Sequence, residues 1–354
     1  MEVVFLRKFF LHIGFDKTGT TSIQRFISDQ YLNMPNILFP HLDGSFSPAR
    51  LTEFSHHLFA EAFLTSIKRK KVVDASRLEG LKKTYPNLTM QHILDGFKAQ
   101  LDAADDRPAM ISSETFSRVT IDPEAVYDFI KNYDYEIIAV LRRQDGYAKS
   151  KYSQVIKHKA RVRNEIKVPK FENFMKPQGF DYHGKIMRWV DAGFEPSRIK
   201  ILPFEKHLMP DGVIPYLFNS MGLELNDIDF SAYHTNTSLG DFEILALQWY
   251  LSKDNVEDYE KRLLVKTAIE YSSQITGLPK GSFMSAEIRK KILDDCAESN
   301  AKIVRDFMPD HVGSLFSNQI KNEQETVIEP NRLMMRKYIR RLRFILKNEG
   351  LITT

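Results

Sequence analysis

A single cysteine, Cys296, stands among the 354 residues, so no internal disulfide can form. Fold stability therefore cannot depend on an oxidising compartment, and a cytoplasmic setting is expected. No apolar run reaches the roughly 18 residues that a membrane-spanning helix needs. The opening stretch MEVVFLRKFFLHIG is apolar only in short pieces, interrupted by Arg7 and Lys8 and lacking a small-residue cleavage site, so no signal peptide is expected. Charge of one sign is scarce too. A formal net charge of +4 suits an anionic ligand, but it is too mild for a nucleic-acid-binding surface, and no nucleic-acid partner is expected. Internal repeats and low-complexity tracts are absent, and the ordinary hydrophobic content excludes wholesale disorder.

Short apolar runs rich in β-branched and aromatic residues predict strands at Phe9–Ile13, Ala109–Ser112, Glu136–Leu141 and Ile199–Pro203. Helical periodicity occupies Thr20–Asn33, Thr52–Lys68, Thr89–Ala103, Pro123–Tyr133, Gly146–Lys159 and Tyr182–Ala192. Alternating strands and helices predict βαβ units around a parallel sheet, with the ligand loops on one sheet edge. Ala160–Phe180, with Arg161, Arg163, Lys167 and Lys170 and no sustained period, reads as a long surface loop. Past Gly240 the pattern is mostly helical. The expected organisation is an α/β core over 1–240 and a helical C-terminal extension over 241–354.

The strongest signal is FFLHIGFDKTGTTSIQ, from Phe9 to Gln24. An apolar strand runs into Gly14, and a helix is predicted from about Thr20. Gly14 and Gly19 have the spacing of a loop whose backbone N–H groups converge on phosphate at a helix N-terminus. Thr18, Thr20, Thr21 and Ser22 add hydroxyl donors, and Lys17 adds a full charge. An ATPase loop would place Lys and then Ser or Thr directly after the second glycine, with a metal-binding Asp at another strand end. Here Thr20 occupies the lysine position, and the other strand ends read Ser112-Ser113-Glu114 and Arg142-Arg143. No metal is expected. A second anion receptor is predicted where Arg142 follows a strand and Ser150 comes eight residues later, on a helix.

These residues resemble the 5′-phosphosulfate and 3′-phosphate motifs of sulfotransferases that use PAPS (3′-phosphoadenosine 5′-phosphosulfate), especially the bacterial-type and carbohydrate-directed branches. The resemblance spans about Phe9 to Leu239. It includes Tyr182, Trp189, Pro203-Phe204-Glu205, Asn236-Thr237-Ser238-Leu239 and, further on, Asn300-Ala301-Lys302. It implies a P-loop-NTPase-like parallel sheet flanked by helices, PAPS as donor with PAP (3′-phosphoadenosine 5′-phosphate) as product, and a saccharide acceptor. Gly14 and Lys17 through Ser22 would grip the 5′-phosphate and sulfate, and Arg142 and Ser150 the 3′-phosphate.

Charge grows on the oxygen that leaves sulfur, and Lys17 is the candidate to stabilise it. Glu114, predicted at the ligand edge of the sheet, is one candidate base; His56 and His57 are the other. His12 reads as a satisfied sheet histidine and Glu205 as structural. An atypical magnesium-dependent kinase and a non-catalytic nucleotide-binding module remain as alternative functions. In Asn331–Lys347 a face of Met335, Tyr338, Ile339, Leu342, Ile345 and Leu346 predicts packing on the domain, with attachment to an anionic membrane surface as the alternative.

Overall fold

The computed structural model describes residues 6–41, 56–65, 87, 89–103, 106–162, 171, 180–225, 228–233, 239–253, 256–317, 327–328 and 331–352. Strands β1 (Lys8–Gly14), β2 (Ala109–Ser113), β3 (Asp134–Leu141) and β4 (Ile199–Pro203) form one parallel sheet in the order β2-β1-β3-β4. All four lie where their apolar runs predict them. The α/β class follows from the helices between them: α1 (Thr20–Gln30), α2 (His57–Glu61), α3 (Met90–Leu101), α4 (Pro123–Ile130), α5 (Gln144–Val162) and α6 (Tyr182–Asp191). After β4 come α7 (Val213–Ser220), α8 (Asp241–Leu251), α9 (Asp258–Tyr271), α10 (Ala286–Phe307) and α11 (Arg332–Asn348).

Both sheet faces are covered, which explains why the strands read as nearly continuous apolar runs. Phe9, Leu11 and Ile13 point into a cluster with Ile111, Ile137, Phe59, Phe97 and Trp189. Phe10, Met110, Ile138 and Val140 point the other way, onto Ile23, Phe26 and Ile27 of α1 and Phe218 of α7. This period of two is what the pleat dictates.

The topology positions the site. From β1 the chain passes to β2 on one side and then crosses to β3 on the other. The loops after β1 and β3 thus flank the point where the winding reverses, which is where open α/β sheets leave a ligand crevice. The registers Ile13↔Ser113, Gly14↔Val140 and Leu141↔Pro203 bring the C-terminal strand ends level.

Two compact units divide the chain. The first comprises Met1–Arg143, Asp181–His234 and Glu298–Ser317, and the second Gln144–Phe180, Thr235–Ala297 and Asn318–Thr354. Helices α8, α9 and α11 and the first part of α10 thus share their unit with Gln144–Phe180, the rest of α10 belongs to the first unit, and neither unit is continuous in sequence. The second unit has its own core, which includes Tyr152 and Ile156 of α5, Leu247 of α8, Leu264 of α9 and Leu342 of α11. There Glu243 accepts hydrogen bonds from Gly240 N–H (2.6 Å), Ser272 Oγ (2.7 Å) and Tyr338 Oη (3.0 Å), so its burial leaves no carboxylate oxygen unpaired. The predicted packing face of α11 is buried at Met335, Tyr338, Ile339, Leu342 and Leu346, while Ile345 sits at its margin.

Of the predicted loop at Ala160–Phe180, 160–162 complete α5 and Phe171 is buried. Arg163, Lys167 and Lys170 lie outside the described residues, as do Asn236, Thr237 and Ser238. Within Thr52–Lys68 only 56–65 are described, and the helix there is α2. Among the described residues no helix is long and apolar enough to cross a membrane.

Candidate active site

The loop between β1 and α1 turns on two left-handed residues, Lys17 (φ 72°) and Gly19 (φ 82°). Gly19 adopts that region readily and caps α1, whereas a lysine there costs on the order of 1 kcal/mol and persists only when its surroundings impose it. Arg142 is one group that holds it, its Nη1 donating to the Lys17 carbonyl at 3.0 Å. In a trans peptide the Thr18 N–H must then point away from Arg142. Alternating signs of φ along Lys17-Thr18-Gly19 aim successive N–H groups at one concavity, the geometry of an anion nest. The first turn of α1 carries no side-chain cap and no acidic residue of its own, and its N–H groups and positive dipole end face this turn.

The glycines also serve packing. A Cβ on Gly14 would sit 2.6 Å from Thr20 Cγ2 and 3.1 Å from the Glu114 nitrogen, and one on Gly19 would sit 2.7 Å from Val213 Cγ1. This closeness brings the ends of β1 and β2 and the start of α1 together.

Two hydroxyls expected to donate to a ligand donate within the protein instead. Thr18 Oγ1 bonds the Phe15 carbonyl at 2.6 Å and closes the turn. Thr20 Oγ1 donates to Glu114 Oε2 at 3.0 Å. Thr21 is exposed and Ser22 half-buried, both in the first turn of α1. Glu114 opens the short helical turn after β2, so the candidate base and the first residue of α1 share a direct hydrogen bond.

The adjacent histidines have different partners. His56 receives Ser112 N–H at Nδ1 (2.8 Å), and its Nε2–H donates to the Pro40 carbonyl (2.7 Å). Strand β2 is a sheet edge, so the imidazole satisfies an N–H that no neighbouring strand can take. With both nitrogens committed to backbone and burial driving its pKa down to about 4, His56 is scaffold, contrary to its place among the candidate bases. His57 instead meets side chains at the end of β2 and in the turn after it: its Nδ1 lies 2.7 Å from Ser113 Oγ and 3.3 Å from Thr115 Oγ1. In the tautomer whose Nδ1–H donates to Ser113, Nε2 is the basic nitrogen.

His12 is only half satisfied. Its Nδ1 meets Ser112 Oγ at 2.8 Å, while Nε2 is buried without a partner, and burial lowers its pKa to about 4. Both buried imidazoles therefore fold neutral. Between pH 6.5 and about 4 the unfolded chain binds protons there that the folded chain refuses, so stability is full above 6.5 and falls as the pH drops through this window. The linkage amounts to about 3 kcal/mol per histidine. Urea midpoints measured from pH 7 to pH 4.5 are expected to fall steeply, and a flat profile would contradict the neutral burial.

Tyr182, fully buried, donates from Oη to the Arg142 carbonyl at 2.7 Å and sets its ring edge-on to Phe15 at 5.2 Å, bracing the loops after β1 and β3 together. Arg142 also lies 5.6 Å from the Phe204 ring centroid. Glu205 is structural, accepting from Ser317 N–H (2.8 Å) and Oγ (2.7 Å). Trp189 is core, and near Asn300 and Ala301 the Lys302 ammonium pairs with Glu298 at 2.6 Å. Ser150, on the second turn of α5, belongs to the second unit, and Arg142 to the first. Sequence reasoning missed Ser113 as the link to His57, the left-handed Lys17 and the latch from Arg142. A positive φ at a lysine leaves no mark in composition or periodicity.

No family model matches this chain, and no curated protein matches it. Solved structures similar to it include a sulfotransferase from Alicyclobacillus acidocaldarius, at 14% identity and a TM-score of 0.41, covering 84% of this chain and 94% of that one. Another is a sulfotransferase domain from the curacin biosynthetic pathway, at 11% identity and a TM-score of 0.36, covering 82% and 97%. A third, retinol dehydratase in complex with androsterone and inactive cofactor PAP, has 14% identity and a TM-score of 0.28, covering 86% and 82%. All three overlaps fall below a TM-score of 0.5. The functional reading therefore rests on the residues of the site.

Proposed function

We propose that this chain is a sulfotransferase that moves a sulfuryl group from PAPS to an acceptor hydroxyl or amine, with a saccharide as the acceptor class. One observation carries the reading: at the β1/β3 crevice Arg142 holds the carbonyl of a left-handed Lys17, 3.0 Å away, beside a helix start with no side-chain cap and no acidic residue in its own first turn. That arrangement suits a dianion at the turn, with the Arg142 guanidinium beside it as the group to meet a second phosphate, as a 3′-phosphorylated nucleotide requires. Ser150 as a partner for the 3′-phosphate rests on its eight-residue spacing from Arg142.

In this reading Lys17 and the loop N–H groups stabilise charge on the bridging oxygen. Glu114, held by Thr20, takes the acceptor proton as the acceptor's lone pair forms a bond to sulfur. The bond from sulfur to the 5′-phosphate oxygen breaks, its electron pair stays on phosphate, and PAP leaves. No step requires a metal.

The Thr20–Glu114 hydrogen bond favours a second reading as well, because phosphate-loop hydroxyls and strand-end acids organise magnesium in kinases and ATPases. The two separate cleanly: labelled PAPS transfers its label to an acceptor panel in the first case, and magnesium-dependent ATP turnover appears in the second. Nucleotide binding supplies a further test. PAP at about one hundred times its Kd is expected to raise the melting temperature by about 5 °C or more. Adenosine 5′-monophosphate, lacking the 3′-phosphate, should give a small fraction of that shift, and Arg142→Gln should bring PAP down to the same level. Equal shifts from both nucleotides would remove Arg142 from 3′-phosphate binding.

A further inference from the structure

Helix α11 has a second face that the core does not use. With 3.6 residues per turn, Leu333, Lys337, Arg340 and Phe344 line the side opposite the buried Met335, Tyr338, Ile339, Leu342 and Leu346. Leu333 is 59% and Phe344 64% exposed, and Met334 and Leu351 add to the apolar surface near either end. Arg332, Arg336, Arg341 and Lys347 are exposed on the flanks, and the helix contains no Asp or Glu. Only Arg343, at the edge of the packed face, meets a carboxylate among the described residues, Glu260 at 2.6 Å. Nearby, the Lys253 ammonium sits 3.9 Å from the Trp249 ring centroid, and its pKa is lowered by burial and then by Arg336 and Arg343. Among the described residues no ion pair engages the arginines and lysines of the exposed face and its flanks.

We propose that the solvent face of α11 docks on an anionic lipid surface, with Leu333 and Phe344 entering the headgroup region and the flanking arginines and lysines meeting lipid phosphate and carboxylate groups. Cations alone would suit any polyanion. Apolar anchors along the midline of the same face distinguish a bilayer from a nucleic acid or an acidic glycan, neither of which offers hydrocarbon to a leucine or a phenylalanine. The proposal concerns the second unit alone and holds whether or not the chain uses PAPS.

The test is cosedimentation of the full chain with phosphatidylcholine vesicles, with and without about 30 mol% phosphatidylserine. Binding is expected only with phosphatidylserine, and it should be largely lost at about 0.5 M salt. Lys337→Glu with Arg340→Glu should weaken it on the order of 100-fold, and Leu333→Ser with Phe344→Ser on the order of 10-fold. All four side chains are exposed, so parent-like melting temperatures identify each loss as one of surface chemistry. No binding to the anionic vesicles, or equal binding to both vesicle types, overturns the proposal. Undiminished binding by the double serine variant also overturns it and assigns the face to a polyanion instead.

Discussion

Lys17→Gly is expected to lower sulfuryl transfer from PAPS by about 10²- to 10³-fold, the usual effect of removing one preorganised donor from a developing oxyanion, while leaving the melting temperature at or above the parent's. The two readouts separate because Lys17 has two attributes at one position. Its backbone is held at φ 72°, where glycine rests without strain, so the substitution relieves the fold. Its ammonium is lost, and the nearby Arg142 guanidinium is already engaged with the Lys17 carbonyl. Lys17→Ala makes the complementary comparison: it loses the same ammonium but keeps the strain, so it should match the glycine variant in transfer and melt lower. If Lys17 served only to shape the loop, the glycine variant would transfer sulfate at close to the parent rate. That outcome would remove the lysine from the chemistry.

Glu114→Gln is expected to cut turnover by about 10²- to 10⁴-fold, the range a positioned base contributes, with PAP affinity within a few-fold of the parent. The amide oxygen of glutamine can still accept from Thr20 Oγ1, which in the parent lies 3.0 Å from Glu114 Oε2, so the phosphate loop should keep its geometry. What the variant loses is the capacity to hold a proton. Parallel measurement of His57→Asn decides between the two candidates, because His57 contacts Ser113 and Thr115 rather than the loop. Near-normal turnover in Glu114→Gln together with collapse in His57→Asn would transfer the role of base to His57. His56→Asn is a control of another kind: by unpairing Ser112 N–H it should lower the melting temperature.

The contrast between His56 and His57 shows where sequence reasoning stops. Both were plausible bases as a pair near neutral pH. Which ring is committed to backbone depends on where β2 and Pro40 lie, and those residues are distant in the chain. Thr18 and Thr20 make the same point. As hydroxyls after a glycine they read as ligand donors, yet one closes its own turn and the other reaches Glu114, 94 residues away. Glu114 itself was legible, because a residue just past an apolar strand of a parallel sheet must emerge at the ligand edge.

The sequence by itself determined the four strands, most of the described helices between them, the glycine turn after β1 and the buried stripe of α11, because each is written in local periodicity or in glycine spacing. Tertiary structure alone decided the strand order that sets Lys17 beside Arg142, the left-handed lysine their hydrogen bond sustains, and the grouping of Gln144–Phe180 with the late helices. These are contacts between segments far apart in the chain. Their free energy depends on which surfaces meet after folding, and no stretch of neighbouring residues carries that information.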